Sequence, residues 1–227
     1  MKYDFQINNQ TFGGGGKDHL TRDKFIDSNA LGFGWRPGQK MEKGLISGCK
    51  IDGNGFAEGL KLSMWYDMVV KDCEIIGGRE DCVDIVRGGR LTFERCRFIS
   101  NGDTKQHMTI KGGVKDILIK DCVFVGNYRN WWDGACIDLG NWTDYDDVPR
   151  PFNRNIVVSG CKMENMTTRN LCRVLYSEWP QVSNCDGRVL VVPKLFVKLF
   201  FFLQRKGWVG KRRRFPESWL KVYDVEL

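Results

Sequence analysis

The feature that most constrains the fold of this chain is a cysteine phrase that recurs along its sequence. Each copy reads apolar-x-apolar-x-x-Cys-x-apolar, as in MVVKDCEI, LTFERCRF, ILIKDCVF and IVVSGCKM. The repeated cysteines are Cys49, Cys73, Cys96, Cys122 and Cys161, with spacings of 24, 23, 26 and 39 residues. A period of about 20 to 50 residues indicates a solenoid with one coil per repeat, so we expect these cysteines to stack in its core.

A second phrase alternates with the first and adds one more strand to each coil. Its copies are GLKLS, CVDIV, HMTIK, CIDLG and LCRVL, in which apolar residues flank one central residue. This period-2 pattern is typical of a strand with one buried face. With the two strands on either side of the cysteine bend it predicts a three-sided parallel β-helix. The predicted interior stacks are Val70, Phe93, Ile119 and Val158; Ile75, Phe98, Phe124 and Met163; and Leu62, Ile85, Ile110, Leu139 and Val174.

The length of 227 residues suits one elongated solenoid of about six coils followed by a tail. We expect a lead-in segment over residues 1–19, the solenoid over 20–185 and the tail over 186–227. In the phrase TRDKFID, Asp23 takes the place of the cysteine, which predicts a first, irregular coil there. The start, MKYDFQINNQ, lacks the apolar core of a signal peptide, so we expect synthesis in the cytoplasm and nine reduced, buried thiols.

The basic character of the chain is concentrated in its tail. The net charge is +7, and residues 186–227 carry ten basic and four acidic side chains, a balance of +6. The segment 193–206, PKLFVKLFFFLQRK, predicts an amphipathic helix docked on the solenoid, with membrane-surface binding by 193–214 as the alternative. The basic run 211–214 is not accompanied by aromatic residues or by a helix that could contact bases, so nucleic-acid binding is not favoured.

The repeats as a whole resemble a known superfamily. EDCVDIVRGGRLTFERCRF, followed by HMTIKGGVKDILIKDCVF, is similar to the repeats of the pectate-lyase-like right-handed parallel β-helix superfamily. The resemblance implies an all-β, right-handed solenoid related to polysaccharide lyases, glycoside hydrolases and phage tailspikes. No cofactor is predicted, because the calcium-ligand pattern of pectate lyases is only partly present; calcium held by Glu80, Asp81 and Asp84 is the alternative. The same fold also serves as a structural fibre, so function has to be argued from a site.

Two rows of outward-facing residues are informative. The polar row is formed by the central residues of the second phrase, namely Lys61, Asp84, Thr109, Asp138 and Arg173. It is either a functional site or a ladder of ion pairs between neighbouring strands. The apolar row lies on the strand before the cysteine and contains Val69, Thr92, Leu118 and Val157. An apolar row on the outside of a solenoid is normally covered, by the chain's own tail or by another subunit.

The repeat is interrupted on both sides of Asp138. Cys122 and Asp138 are 16 residues apart, and Asp138 and Cys161 are 23 apart, against 11 to 13 for the corresponding distances in other coils. The insertions carry the aromatic residues Trp131, Trp132, Trp142 and Tyr145. Aromatic rings beside carboxylates are typical of sugar sites, while a satellite core covering the flank of the solenoid is the alternative.

The polar row also supplies candidate catalytic groups. Asp84 and Asp138 are two coils apart, about 9.6 Å at the spacing of parallel strands, which is close to the separation that inverting glycosidases use. Lys61 and Arg173 complete the predicted catalytic set, because a lyase needs positive charge and a base. The predicted substrate-binding residues are Trp131, Trp132, Trp142, Tyr145, Arg87, Lys111 and His107. No CxxC pair is present, so a zinc site is not predicted.

These patterns favour a protein that binds a polysaccharide and that, if it is an enzyme, cleaves it as a lyase or a glycoside hydrolase. The alternative is a non-enzymatic structural or assembly protein, such as a virion component, whose apolar row and basic tail contact partner proteins or a second copy of the chain.

Overall fold

The computed structural model describes residues 2–13, 29–34, 40–127, 134–140, 152–175, 177–192 and 221–224. All the regular elements in this part of the chain are β-strands, as the sequence predicted. They are β1 (Phe5–Asn8), β2 (Thr11–Phe12), β3 (Asn29–Gly34), β4 (Gly44–Ser47), β5 (Lys50–Asp52), β6 (Glu58–Lys71), β7 (Glu74–Ile76), β8 (Asp81–Glu94), β9 (Arg97–Ile99), β10 (Gln106–Lys111), β11 (Lys115–Lys120), β12 (Val123–Val125), β13 (Ile137–Leu139), β14 (Arg154–Ser159), β15 (Lys162–Glu164), β16 (Asn170–Val174), β17 (Gln181–Ser183), β18 (Arg188–Val191) and β19 (Lys221–Asp224).

The strands β1 to β18 pair in parallel with the equivalent strands of neighbouring coils, and the coils have three faces. The first face contains β1, β4, the second halves of β6 and β8, β11, β14 and β17. The second face, which follows the cysteine, contains β2, β5, β7, β9, β12 and β15. The third face contains β3, the first halves of β6 and β8, β10, β13, β16 and β18. The predicted three-sided parallel β-helix is therefore confirmed.

The corner before each cysteine position is a tight bend in the left-handed backbone region. The bend residues are Asn9, Gly48, Asp72, Arg95, Asp121, Gly160 and Asn184, with φ between 51° and 64°. Asparagine, aspartate and glycine adopt this conformation at the lowest cost, which explains why they dominate the position. The thiol that follows the bend donates to the carbonyl two residues earlier, as in Cys122 Sγ to Lys120 O at 3.2 Å. The cysteine therefore closes the corner from inside the core.

The interior stacks form in the predicted register. Val70, Phe93, Ile119 and Val158 are paired in sequence along the first face. The second face aligns Ile75, Phe98, Phe124 and Met163, and the third aligns Leu62, Ile85, Ile110, Leu139 and Val174. All nine cysteines are free and buried, which matches the predicted reduced core thiols. Burial raises the pKa of Cys82 and Cys136 far above the ordinary value, so these thiols stay neutral and unreactive.

The solenoid is longer at both ends than the sequence predicted. Its first coil starts at Phe5, inside the predicted lead-in, because β1 and β2 pair with β4 and β5. A sixth stacked cysteine, Cys185, lies beyond Cys161. Its Sγ accepts a hydrogen bond from the backbone N–H of Cys161 at 3.3 Å. β18 then adds a seventh parallel strand to the third face. The sequence had predicted about six coils, ending at residue 185. The predicted coil at TRDKFID lies outside the described residues.

The C-terminal part of the chain returns to the solenoid as a strand. β19 pairs with β18 in an antiparallel arrangement and covers the last edge of the third face. Covering an edge removes a row of unpaired backbone groups on which another chain could add. The predicted helix over 193–206 and the basic run 211–214 lie outside the described residues.

Gly88 gives a direct test of the corner geometry between the third and first faces. Its φ is +100°, and a Cβ at this position would lie 2.2 Å from the backbone oxygen of Trp65. We expect Gly88→Ala to lower the free energy of unfolding by about 2–4 kcal/mol, since it adds a backbone collision to left-handed strain. Gly55 is the matched control, with φ +84° and open space around its Cβ position, so Gly55→Ala should cost only about 1 kcal/mol. Equal losses in urea denaturation would contradict this account.

Candidate functional site

The polar row forms on the outer side of the third face, as predicted. Lys61 is paired in register with Asp84, Asp84 with Thr109, Thr109 with Asp138, and Asp138 with Arg173. The residues on either side of each member point into the core and are buried. Five successive coils therefore present one polar side chain each along a single line.

Most of this row is closed to solvent. The exposed fractions are 1% for Asp84 and 0% for Thr109 and Asp138. The cationic side chains are more open, at 16% for Lys61 and 15% for Arg173. The acceptors of the row are thus buried, and the cations beside them are the part of the row that solvent reaches.

Asp84 is held between two lysines. Lys61 Nζ lies 2.9 Å from Asp84 Oδ2, and Lys111 Nζ lies 2.9 Å from Oδ1. Lys61 also donates to Glu58 Oε1 at 3.1 Å. Burial alone would lower the pKa of Lys61, but the charges of Asp84 and Glu58 outweigh it and raise the pKa above its usual value. Lys111, predicted to bind substrate, therefore belongs to the same network as the predicted catalytic Lys61 and Asp84.

A second polar column lies three residues before the row on the third-face strands. Its members are Asn29, Glu58, Asp81, Gln106 and Asn170, all buried. Glu58 pairs in register with Asp81, and Asp81 with Gln106. Sequence reasoning missed this column, except for Asp81 as a partial calcium ligand. Its signal was present as a polar residue three positions before the row residue in EGLK, DCVD, QHMT and NLCR.

The surroundings of Asp81 favour the neutral form of its carboxyl. Burial raises the pKa of Asp81 well above its usual range, and the charge of Asp84 raises it further. Burial likewise raises the pKa of Glu58. Gln106 Nε2 donates to Thr109 Oγ1 at 2.7 Å, and a hydrogen bond from the Thr109 side chain partly opposes the effect on Asp81. The raised pKa of Asp81 and the two lysine contacts of Asp84 thus come from different surroundings of these two neighbouring carboxyls.

Three buried oxygens of this network have no hydrogen-bond partner among the described residues. They are Oε2 of Glu58, Oδ1 of Asp81 and Oδ1 of Asp84, of which the last lies in the ion pair with Lys111. Buried polar atoms are normally hydrogen-bonded, so these oxygens are the least satisfied atoms of the network.

Asp138 forms the second half of the site with Arg173. Arg173 Nη2 lies 2.5 Å from Asp138 Oδ2, and its Nε donates to Oδ1 at 3.3 Å, so the pair is bidentate. Thr109 separates Asp138 from Asp84 in the row, which matches the predicted two-coil separation. Both carboxylates that were predicted to be catalytic are thus engaged in ion pairs, as the alternative of a salt-bridging ladder expected.

His107 is not part of the outer surface, and its predicted contact with substrate is wrong. It is fully buried, its Nε2 lies 3.0 Å from Val125 O, and its ring meets the edge of Phe124 at 5.5 Å between centroids. The register places it opposite Cys82, in the interior corner where the third face begins. Burial lowers the pKa of His107 from 6.5 to about 4, so the ring is neutral at neutral pH.

The remaining residues predicted to bind substrate lie either away from the polar network or outside the described residues. Arg87 is exposed and occupies the corner after the third-face strand, with φ +62°. Trp131, Trp132, Trp142 and Tyr145 lie outside the described residues. Within the described ranges, no group of three or more acidic, histidine or cysteine side chains is placed to hold a metal ion. In the same part of the chain, no helix is long and apolar enough to cross a membrane.

His107 makes stability depend on pH in a defined direction. Its pKa in the folded state lies below that of the unfolded chain, so protonation favours unfolding, and stability falls as the pH drops from 6.5 toward 4. The difference corresponds to about 3 kcal/mol. We expect the free energy of unfolding of His107→Gln, relative to the natural chain, to improve over that interval in urea titrations. A constant difference between the two proteins at all pH values would contradict the assignment.

The fold and the outer network define a three-sided parallel β-helix with a charged, hydrogen-bonded network on one face. The family model described as "Right handed beta helix region" matches residues 11–149, more than half of the chain, so the protein belongs to the right-handed β-helix family. No curated protein matches the sequence.

Proposed function

We propose that this protein binds a polysaccharide on the third face and that it is a β-helix of the pectate-lyase or phage-tailspike type. The observation that carries the proposal is the two-column polar network, in which charged and hydrogen-bonding side chains from successive coils are concentrated on one face. A linear polymer of similar units fits such a surface because the coils repeat every 4.8 Å or so along the axis.

The chemistry of the network suits sugar hydroxyls. Carboxylate and amide side chains exchange hydrogen bonds with hydroxyls, and a few convergent polar groups fix the orientation of a ligand. The cations Lys61, Lys111 and Arg173 keep 14–16% of their side chains exposed, so they can donate hydrogen bonds to ligand hydroxyls. The aromatic insertions around Asp138 would supply rings for stacking.

Recognition is favoured over cleavage. A catalytic carboxyl has to come within hydrogen-bond reach of the glycosidic oxygen or of an attacking water. Asp84 and Asp138 are no more than 1% exposed and are paired with Lys61, Lys111 and Arg173. Their charges therefore stabilise the face, and the partly exposed cations are the first groups that a ligand meets.

The test is a binding assay against a panel of neutral and acidic polysaccharides by affinity electrophoresis and calorimetry. We expect Lys111→Ala to weaken binding at least tenfold, because it removes an accessible donor while Asp84 keeps Lys61. Lys115→Ala is the matched control, since Lys115 is exposed at the start of β11 on another face. The absence of binding by the natural chain, or equal effects of the two changes, would overturn the proposal.

Incubation with the same panel separates binding from cleavage. New reducing ends indicate a hydrolase, and unsaturated products that absorb in the ultraviolet indicate a lyase. If either activity is found, Asp138→Asn and Asp84→Asn should abolish it. We expect bound polysaccharide to be recovered intact.

The second candidate is a non-enzymatic assembly role, such as that of a virion component made in the cytoplasm. It is favoured by the ion pairing and burial of the predicted catalytic groups, which fit a structural ladder. A chain that binds no polysaccharide and is recovered in a stable complex with other virion proteins would support it.

A further inference from the structure

The first face is a parallel sheet whose outer side carries the apolar row. Val69, Thr92, Leu118 and Val157 are paired in register, and Leu45 continues the line one coil earlier. The four members of the apolar row are partly exposed, whereas the interior residues on either side of them are buried. Along the seven strands the apolar positions are Leu45, Val69, Leu118 and Val157; Thr92 lies between them, and Gln6 and Gln181 occupy the two ends.

Charged residues flank this line in an alternating order. Two positions before it the successive coils carry Asp67, Arg90 and Asp116, and two positions after it they carry Lys71, Glu94 and Lys120. On every one of these three strands the two flanking charges have opposite signs, and both columns reverse sign from each coil to the next. The surface therefore has a checkerboard of charge around an apolar centre.

We propose that a second copy of this chain packs on the first face with the two solenoid axes parallel, related by a twofold axis along the solenoid. This symmetry exchanges the two flanking columns within each coil. Asp67 then faces the partner's Lys71, Arg90 faces the partner's Glu94, and Asp116 faces the partner's Lys120. Six pairs of opposite charge form, while the apolar row packs on itself.

An antiparallel dimer centred on the middle coil is disfavoured by the same charges. It would place Arg90 against the partner's Arg90 and Asp67 against the partner's Asp116. Like charges brought together across an interface are costly, so the checkerboard selects the parallel arrangement.

Four of these charges also take part in ion pairs within the chain: Asp67 with Arg90, Glu94 with Arg95, and Lys120 with Asp121. Arg90 binds Asp67 through two contacts of 2.8 Å and also lies over the ring of Tyr66. The side chain of Arg90 is 52% exposed, so it has free surface for a partner carboxylate. The charges accordingly fix register, and the apolar row supplies most of the affinity.

The available area fits a modest dimer. The seven strands contribute three to six residues each, which at the usual spacings gives roughly 550 Å² per copy, or about 1,100 Å² in total. This is at the lower limit of specific interfaces, so we expect a dissociation constant in the micromolar range. The inference does not depend on the polysaccharide site, which lies on a different face.

The first experiment measures molar mass against concentration by sedimentation equilibrium. We expect a monomer–dimer equilibrium whose dissociation constant rises at least tenfold in Leu118→Arg. Val123→Arg is the matched control, because Val123 is an outward, partly exposed residue of the second face. A monomer at every concentration, or equal effects of both changes, would overturn the proposal. A monomeric chain that is strongly destabilised by Leu118→Arg would show instead that its own tail covers the face.

The second experiment tests the symmetry. Arg90→Glu and Glu94→Lys should each weaken homodimers, since each places like charges opposite one another. When the two variants are mixed, Glu at position 90 faces Lys at position 94 of the partner, and the other half of the interface keeps its natural pair. We expect native mass spectrometry to show heterodimers restored to the natural affinity within about threefold. Failure of the mixture to recover would overturn the parallel arrangement.

Discussion

Replacing Arg173 by alanine is expected to lower the free energy of unfolding by about 3–5 kcal/mol, as for other buried ion pairs that lose one partner. Asp138 is completely buried and receives two contacts from Arg173. Without the guanidinium, its carboxylate would be left without a compensating charge in a place closed to water. Urea denaturation at neutral pH measures the loss.

Two further variants separate charge from packing in this result. Arg173→Ala combined with Asp138→Asn should recover most of the lost stability, because the neutral amide removes the uncompensated charge. Arg169→Ala, at an exposed arginine before the same strand, should change stability by less than about 0.5 kcal/mol. An Arg173→Ala protein as stable as the Arg169→Ala control would show that the pair adds nothing to the fold.

Replacing Phe98 by alanine is expected to cost about 3–5 kcal/mol, the range for large aromatic residues in close-packed cores. Phe98 is fully buried, stacks on Phe124 at 5.2 Å between centroids, and meets the edge of Phe93 at 6.1 Å. It therefore links two faces of its own coil to the next coil, and its removal leaves a cavity in the core of the solenoid. Chemical denaturation gives the loss directly.

The conservative change Phe98→Leu is the control for Phe98→Ala. Leucine keeps most of the apolar volume but loses the ring contacts, so we expect a loss of about 1–2 kcal/mol. Since a solenoid is stabilised by contacts between neighbouring repeats, a weakened central coil should also make unfolding less cooperative. Losses below about 1 kcal/mol in both variants would mean that the aromatic stack is not a main source of stability.

The interior of the solenoid could be predicted because it repeats. Alternating apolar residues around each cysteine fixed which side chains point inward, and the constant period fixed which of them meet. The ends could not be predicted in the same way. In the first coil Gln10 stands where later coils have cysteine, and before Cys185 the apolar pair is reduced to Val182. Terminal coils contact only one neighbour, so their sequences are less constrained.

The candidate site was only half visible in the sequence. Period-2 alternation identified the polar row, but it gave no sign that Asp84 and Asp138 are buried and engaged by cations. It also could not place His107, since alternation fails at a corner where the chain bends inward. The column containing Glu58 and Gln106 was detectable as a polar residue three positions before the row, yet a spacing of three has no meaning until the strand register is known.

By itself the sequence determined the architecture of this protein, because a 23- to 26-residue repeat with alternating apolar residues can bury its core only by stacking coils. The tertiary structure alone decided which polar residues belong to one network and which are accessible. Proton affinity, ion pairing and burial depend on side chains contributed by different coils, and short-range sequence patterns do not contain those distances. The stack of cysteines can therefore be predicted from the sequence, whereas the burial and ion pairing of each carboxyl depend on the fold.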